Sequence, residues 1–404
     1  MKLKAGQAKL IHIASGFCAI ALPSAAMADT RTYVDLTGSA GYSRNPFLDQ
    51  DGESSVFGRV SATGVHSIRG ERGSTNLSAF VENSTYLNDH GSTQVFSLEA
   101  GTSYQVSELV QLFGSAEFSG DRGGQLIGRF DDAPISPPEP GVPLPPDDIF
   151  DPDALDLNRR QYRVGGQLGT ALTVSERDNL TISASGRHVF FGGDGEDLDY
   201  TVASATVAWQ RKLSERTRAG ARMSIQRGNY PGADNRSTIY SPQLTLHTTL
   251  GVGWDADFAA GASFVRRQTE AGSDQSITPA VDASVCRTTE AASYCGRASY
   301  STEAATQTAL KTVRVGVDYF NRLNAKDTLQ ANLNVIHHSG DDVETDDSKT
   351  TYYSAGLSFG RKFSERLSAG ATGSARKVVE KDAGGIPLDV SVSAFVRYRL
   401  GDIL

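Results

Sequence analysis

Several residue types on which binding and catalytic motifs depend are scarce in this sequence. The 404 residues include three cysteines, three methionines and two tryptophans, and acidic residues outnumber basic ones, giving a formal net charge of −8. A protein that binds nucleic acid needs positive charge to neutralise the phosphates, so nucleic acid is not an expected partner. The net negative charge therefore argues against a nucleic-acid-binding function.

Recognisable catalytic and cofactor motifs are also missing. The sequence contains no Gly-Lys phosphate loop and no His-Glu-x-x-His motif. Its histidines are scattered without the spacing of a metal site, for example His66, His90, His188 and His247. We therefore expect no cofactor, no bound metal and no enzyme activity.

Long apolar runs are confined to the start of the chain. Residues 11–22 are predominantly apolar, follow Lys2, Lys4 and Lys9, and precede Ala26-Met27-Ala28, which together are typical of a secretory signal. We predict that residues 1–28 are a signal peptide and that the mature chain begins at Asp29. Phe17 precedes Cys18 and is too large for the small-residue position before a lipid-modified cysteine, so no lipid anchor is expected. After the leader no run of about 20 apolar residues remains, so no transmembrane helix is expected.

Two cysteines remain after the leader. Cys286 and Cys295 lie nine positions apart, and disulfides persist in the compartments that exported proteins reach. We predict that they form one disulfide within a loop, with two free thiols as the alternative.

A nine-residue segment occurs twice. "KLSERTRAG" at 212–220 returns as "KFSERLSAG" at 362–370, and the residues around each copy alternate between apolar and polar. After the second copy Leu367, Ala369 and Ala371 share one face of a strand, while Ser368, Gly370 and Thr372 share the other. The repeat therefore predicts a tight turn between two long strands.

Similar polar turns recur along the mature chain at intervals of about 37 to 40 residues, with two intervals of about 70. Each long interval contains one oversized connection, the Pro-rich segment 120–158 and the Cys-bearing segment 270–301. We predict that residues 29–404 form an all-β, transmembrane, antiparallel up-and-down β-barrel of about 16 strands. Its short turns would be periplasmic and its longer loops extracellular.

A β-propeller also repeats at about 40 to 45 residues. A propeller blade holds four strands of about five residues, whereas each period here holds two strands of about ten to fourteen. A tilted strand that crosses a membrane needs about 9 to 11 residues. Strand length and the missing Trp-Asp and kelch-like motifs favour the barrel.

Aromatic residues lie near the expected strand ends, where the interfacial girdles of a membrane barrel occur. They are Tyr33, Tyr42, Tyr86, Tyr104, Tyr162, Phe190, Tyr200, Tyr240, Trp254, Tyr319, Tyr353 and Tyr398. The last strand, "VSVSAFVRYRL", places Val392, Val396 and Tyr398 on one face and resembles the C-terminal insertion signal of outer-membrane proteins. Ser393 replaces the usual Gly and the chain ends in Leu404 rather than an aromatic residue. The resemblance makes the barrel-assembly machinery an expected partner.

The leader, the first strand ending in "GYSRNPF" (41–47) and the repeated Ser-Glu-Arg turns resemble outer-membrane β-barrel porins of proteobacteria, of the beta-barrel porin 2 type. This resemblance implies a channel in the cell outer membrane for passive diffusion of small polar solutes or ions. It also implies contact with outer-membrane lipid and lipopolysaccharide. The sequence does not decide whether the barrel forms a homo-oligomer. The alternative function is that of a non-conducting or gated accessory barrel that works with polysaccharide-export components.

The alternation also predicts which charged residues face the lumen. These are Arg59, Glu82, Glu99, Glu117, Arg163, Arg187, Arg222, Arg314, Asp318, Arg376, Arg397 and Arg399, together with Arg218 and Asp257. The acids lie on three consecutive strands and several arginines lie near the closure of the barrel. Opposed clusters would set up a transverse field across a pore. Scattered charges that only keep the lumen wet are the alternative.

Two kinds of long loop are set apart by composition. Residues 133–152 hold eight of the 14 prolines, which prevents another strand and makes this segment a candidate constriction or an external flap. Acidic loops at 47–54, 192–199 and 340–347 could hold divalent cations that bridge lipopolysaccharide, although plain solvation is the expected role.

A lipid hydrolase is a remote alternative. His337 and Ser339 share the outward register near the loop-side rim, as a catalytic pair of such an enzyme would. A nucleophilic serine needs a base within hydrogen-bond reach and a third group that orients the base. The sequence identifies no such third group.

Overall fold

The computed structural model describes residues 29–402, except 49, 51, 88–90, 122–159, 193–198, 231–234, 270–271, 305–308, 341–348 and 381–384. The expected signal peptide, residues 1–28, lies outside the described residues, as does the Pro-rich segment 133–152. Among the residues described, no helix is long and apolar enough to cross a membrane.

The described residues form eighteen β-strands. In chain order they are β1 (Asp29–Ser43), β2 (Ser55–Gly70), β3 (Gly73–Tyr86), β4 (Ser92–Ser107), β5 (Val110–Asp121), β6 (Gln161–Thr173), β7 (Asp178–Phe191), β8 (Tyr200–Lys212), β9 (Thr217–Tyr230), β10 (Asn235–Gly251), β11 (Trp254–Thr269), β12 (Gly272–Thr288), β13 (Ala292–Ala304), β14 (Ala309–Arg322), β15 (Asp327–Ser339), β16 (Lys349–Lys362), β17 (Leu367–Glu380) and β18 (Asp389–Gly401).

The sheet closes on itself. Every strand pairs antiparallel with its neighbours in the chain, and β1 pairs with β18 from Tyr33 opposite Gly401 to Ser43 opposite Ser391. Each of the eighteen strands therefore has a partner on both sides, which is how a sheet satisfies its backbone groups in lipid. The up-and-down antiparallel barrel expected from the alternation is confirmed.

Strand lengths run from 12 residues in β5 to 17 in β10 and β12. These lengths exceed the 9 to 11 residues that a tilted membrane-spanning strand needs. They exclude the propeller, whose blade strands have about five residues.

The two faces of the wall differ as the alternation predicts. On β18, Val392, Val396 and Tyr398 are exposed on the outer face, whereas Asp389 and Phe395 are buried on the inner face. Small polar side chains join neighbouring strands on the inner face, as in the 2.6 Å hydrogen bond between the hydroxyls of Ser374 and Ser391. A wall that is apolar outside and polar inside suits a barrel with lipid around it and water within it.

The strand count differs from the expected sixteen because segment 270–301 is not a long loop. It forms most of the hairpin β12–β13, which turns at residues 289–291, where the Thr289 amide donates to the Ala292 carbonyl at 2.8 Å. This turn contains neither glycine nor a Ser-Glu-Arg motif, so the sequence did not reveal it. Cys286 and Cys295 lie opposite each other on these strands and are joined by a disulfide, with 4.1 Å between their Cα atoms.

The repeated segment builds the same turn twice. In each copy the backbone closes the same turn, Leu213 N–H to Thr217 C=O at 2.9 Å and Phe363 N–H to Leu367 C=O at 2.8 Å. A lysine pairs with the glutamate three residues later, at 2.9 Å for Lys212 and 2.5 Å for Lys362. The two segments have nearly the same sequence because each forms the same tight turn between two long antiparallel strands.

Most of the aromatic residues expected at the girdles face outward, where Tyr42 and Tyr353 mark the loop side and Trp254 and Tyr398 the turn side. Three do not. Tyr33, Tyr86 and Tyr200 have the inward register, and the last two are buried against other inner-wall side chains. Their position near strand ends was correct, but the girdle assignment was wrong for them, since strands favour aromatic residues on either face.

Candidate functional site: the barrel lumen

The charged residues expected in the lumen all lie on the inner face of the wall. The strand registers place them in rows with other inward residues, as with Arg399 opposite Asp35 and Glu99 opposite Glu117. The inward set comprises Arg59, Glu82, Glu99, Glu117, Arg163, Arg187, Arg218, Arg222, Asp257, Arg314, Asp318, Arg376, Arg397 and Arg399.

The arginines near the closure of the barrel are neutralised within the wall. Arg399 donates two hydrogen bonds of 2.7 Å to Asp35, and Arg376 donates one of 2.7 Å to Asp389. Arg59 lies 3.4 Å from Glu82 on the next strand. The expected block of positive charge at the closure is therefore largely balanced by acids. Asp35 and Asp389 were not singled out from the sequence, although they share the inward register of their partners.

Two further arginines on the inner wall are held by acids. Arg222 of β9 reaches across β10 and β11 to Asp282 of β12 at 2.7 Å and also donates to Gln243 at 2.9 Å. Arg314 binds both carboxylate oxygens of Glu303, at 2.6 and 2.8 Å. These long side chains lie along the wall and link strands from inside the barrel.

A mixed-charge patch on β4 to β7 is organised differently. We define it as Glu99, Glu117, Arg163 and Arg187. Glu99 lies directly opposite Glu117, and Gly165 separates Glu117 from Arg187 in the same row. A side chain at Gly165 would collide with the Glu117 carboxylate, since a Cβ there would lie 2.6 Å from its Oε1. The patch therefore presents acids on two strands beside bases on the next two.

Within the described residues, neither Glu117 nor Arg187 has an oppositely charged side chain within ion-pair distance. Two carboxylates placed directly opposite each other repel. A solute or ion with positive charge relieves that repulsion, and the adjacent arginines favour negative charge. The mixed-charge patch thus places acids and bases side by side on the lumen wall.

The loop-side end of hairpin β13–β14 lies inside the barrel. The ladder between β12 and β13 ends at Val281 opposite Tyr300, although β12 continues for nine residues beyond that point toward the loops, paired with β11. β13 and β14 stay paired to Ala304 opposite Ala309. We call the described residues of 301–312 the inner flap.

Burial shows which way the inner flap bends. Thr302 and Ala304 have the same register as Tyr294, which faces lipid nearer the turn end of β13. The exposed fractions of Thr302 and Ala304 are nevertheless only 5% and 3%. Thr302 hydrogen-bonds the hydroxyl of inward Thr278 at 2.6 Å, and the Ala304 amide donates to inward Gln226 at 3.0 Å. The outer face of the inner flap therefore packs on the inner face of β9 to β12, so the wall overlaps itself.

An apolar cluster holds the overlap together. The inner flap contributes Ala304 and Ala309, and the inner wall of β7 to β11 contributes Val189, Phe191, Tyr200, Val202, Tyr230, Ile239 and Val265. Arg267 also donates to the Ala309 carbonyl at 3.4 Å. The inner flap thus narrows the lumen on the loop side.

The connection from β1 to β2 covers the opposite part of the inner wall. Leu48 packs on inward Ile336, Tyr352 and Val378, and the Asn45 amide donates to Asp389 at 3.0 Å. The loop-side mouth is therefore narrowed from two directions. The Pro-rich segment, a candidate constriction or external flap, lies outside the described residues.

Among the described residues, no carboxylate or amide hydrogen-bonds the histidine of the remote hydrolase pair. His337 and Ser339 do share the outward register with exposed Leu333. The hydrogen-bond partner of the His337 ring is the hydroxyl of Thr351, at 2.9 Å, and a hydroxyl is not the carboxylate or amide that would orient a catalytic base. Among the residues described, no group of three or more His, Cys, Asp or Glu side chains could hold a metal ion.

No family model and no curated protein matches this sequence. Solved structures do match. The ferric citrate transporter FecA in its unliganded form is 11% identical over 90% of this chain and 63% of its own, with a TM-score of 0.49. This chain thus spans less than two thirds of the length of FecA.

Two matches from Pseudomonas aeruginosa have nearly the same length as this chain. OpdQ is 10% identical over 92% of this chain and 98% of its own, with a TM-score of 0.45. OccK2 (OpdF), solved in complex with glucuronate, is 12% identical over the same shares, with a TM-score of 0.44. The barrel itself is established by the strand registers of this chain. With an apolar outer face and a polar lumen, it is an outer-membrane β-barrel, as the resemblance to porins implied.

Proposed function

We propose that this outer-membrane barrel is a channel through which small polar solutes or ions diffuse passively. The observation that carries the proposal is the inner face, which is polar and charged on strands all around an eighteen-stranded wall. A barrel of 16 to 18 strands is wide enough to enclose an aqueous channel, whereas side chains fill a barrel of eight.

The mixed-charge patch supports a channel that discriminates by charge. Glu99 and Glu117 favour cations on one side of the patch, and Arg163 and Arg187 favour anions on the other. Fixed charges of opposite sign on neighbouring strands orient a polar solute and set the relative permeability of cations and anions. The inner flap and the β1–β2 connection would narrow the path on the loop side of this patch.

Planar-bilayer recording of the purified mature protein tests the proposal. We expect steady conductance steps in KCl, and a reversal potential that shifts toward anion preference in Glu99→Gln/Glu117→Gln. The matched control is Glu71→Gln/Glu108→Gln, which removes the same charge from exposed turns outside the lumen. A folded protein that gives no steps would overturn the channel and favour an accessory barrel for polysaccharide export. A shift of equal size in both variants would overturn the role of the patch.

A further inference from the structure

Three arginines form a compact group on the outer face of the wall, near its loop side. Arg227 of β9, Arg236 of β10 and Arg266 of β11 are exposed, whereas their chain neighbours Gly228 and Ser237 are buried on the inner face. We call these three residues the arginine triad.

The strand registers bring the arginine triad together. Thr238 of β10 lies directly opposite Arg227 on one side and Arg266 on the other, and Arg236 is two residues further along the same face of β10. Since neighbouring strands are about 4.8 Å apart, the three side chains leave the wall within roughly 10 Å of each other. A single headgroup can therefore contact all three.

The outer wall immediately toward the turn side of the triad is apolar. The next outward residues are Ile225 on β9, Tyr240 on β10 and Phe264 on β11, and all three are exposed. On β11 the outward face runs from Trp254 to Phe264, ten residues apart. At about 3.3 Å per residue and the usual tilt of about 40°, that distance spans roughly 25 Å along the membrane normal.

This height equals the apolar band of an outer-membrane barrel, which is about 25 Å tall. Arg266 follows Phe264 on the same face, so the arginine triad lies just beyond the band, at the level of lipid headgroups. Its side is that of the long loops, which face the cell exterior in such barrels. The triad therefore meets the outer leaflet.

No carboxylate balances the triad among the described residues. Two outward arginines at the turn-side rim differ in this respect, since Arg211 lies 3.9 Å from Asp178 and Arg361 lies 3.7 Å from Asp327. Three neighbouring guanidinium groups repel each other, and a bound anion relieves that repulsion. Exposed amide side chains of Asn229 and Gln268 flank Arg236 in its row and add further hydrogen-bond donors.

We propose that the arginine triad is a binding site for the phosphorylated headgroup of an outer-leaflet lipid. Guanidinium groups match phosphate oxygens in a bidentate geometry, and they do so better than lysine. The occupant is a lipid rather than free phosphate because the triad borders the apolar wall, where exposed Ile225, Leu244 and Phe264 can contact acyl chains. The proposal rests on the membrane placement of the barrel and not on its conductance.

Native mass spectrometry of the purified full mature chain in detergent tests this proposal, with bisphosphorylated lipid A as the probe. We expect lipid A to stay bound, and Arg227→Gln/Arg236→Gln/Arg266→Gln to weaken its retention at least tenfold. The matched control is Arg211→Gln/Arg287→Gln/Arg361→Gln, which removes three outward arginines from the turn-side rim and should bind as the parent does.

Two further arms identify the ligand. Lipid A stripped of both phosphates should bind parent and triad variant equally, and inorganic phosphate at the same concentration should not displace lipid A. Equal retention of bisphosphorylated lipid A by the parent and a folded triad variant would overturn the proposal. Displacement by inorganic phosphate would overturn the lipid as occupant. Should the triple variant fail to fold, Arg227→Gln and Arg266→Gln alone should each weaken retention about threefold, and parent-like retention in both would overturn it.

Discussion

At the scale of single residues, the inner wall is held together by ion pairs of unequal burial. Asp389 is 0% exposed and accepts hydrogen bonds from Arg376, the Ser43 hydroxyl and the Asn45 amide. Glu365 pairs with Lys362 at a similar distance but lies at a turn, where both side chains are largely in solvent. Burial, more than distance, determines what such a pair contributes, because water screens an exposed one.

Replacing Asp389 should therefore be far more costly than replacing Glu365. Asp389→Ala leaves the mostly buried Arg376 guanidinium and two other donors without their acceptor, and we expect it to lower the free energy of unfolding by about 3 to 5 kcal/mol. Glu365→Ala removes an exposed ion pair and should cost less than about 1 kcal/mol. Urea unfolding in lipid vesicles measures both, and similar losses in the two variants would contradict this account.

At the scale of elements, the inner flap departs from the regular wall. It keeps the side-chain alternation of β13 and β14, but its outer face meets protein instead of lipid. Alanine at 304 and 309 allows the two layers to approach closely, and the apolar cluster behind them stabilises the overlap by burial. The position of the inner flap depends on this small contact and on a few hydrogen bonds, so it is sensitive to substitution.

A charge placed in the overlap should displace the inner flap. We expect Ala304→Asp/Ala309→Asp to increase the single-channel conductance, because buried unpaired carboxylates are unfavourable and the inner flap would move away from the cluster. Ser299→Asp, on the inward face of β13 below the inner flap, is the control for added charge. Unchanged conductance in the double variant would show that the inner flap does not narrow the path.

An engineered disulfide should have the opposite effect, because it would fix the inner flap against the wall instead of displacing it. The hydroxyls of Thr278 and Thr302 are 2.6 Å apart, so Thr278→Cys/Thr302→Cys should cross-link the inner flap to β12. Added to the aspartate variant, the oxidised cross-link should return the conductance to the parental value, and reduction should raise it again. The parent treated with reductant controls for the disulfide between Cys286 and Cys295.

At the scale of the whole molecule, the side that each residue faces determines what substitutions it tolerates. Val207 and Thr206 are neighbours on β8, and Val207 faces lipid with 46% of its surface exposed while Thr206 faces the lumen. A charged side chain is costly in hydrocarbon and easily solvated in an aqueous lumen.

The same substitution at these neighbours should thus have different costs. We expect Val207→Arg to destabilise the folded barrel by about 2 to 4 kcal/mol and Thr206→Arg to be nearly neutral. Unfolding in lipid vesicles compares the two variants with the parent. A greater loss for Thr206→Arg would reverse the assignment of the two faces, and with it the membrane placement of the barrel.

The class of fold, the face on which most side chains lie and the short turns could all be predicted from the amino-acid sequence. These features follow from local rules, since a strand alternates with a period of two and a Ser-Glu-Arg turn closes on itself. The inward register of Arg399 and the outward register of Val396 could be read in this way. The turn at 289–291 was not predicted, because its residues carry no strong turn signal.

Contacts between residues that are distant in sequence could not be predicted from local rules, because they depend on how the strands are arranged in the folded barrel. Arg399 and Asp35 are 364 positions apart and meet because the sheet closes, so their pairing depends on the register at the closure. Thr302 and Ala304 have an outward register but are buried, because the inner flap bends into the barrel and packs on the inner face of β12. The arginine triad likewise exists only once three strands lie side by side, since alternation specifies a face but not the neighbours across it.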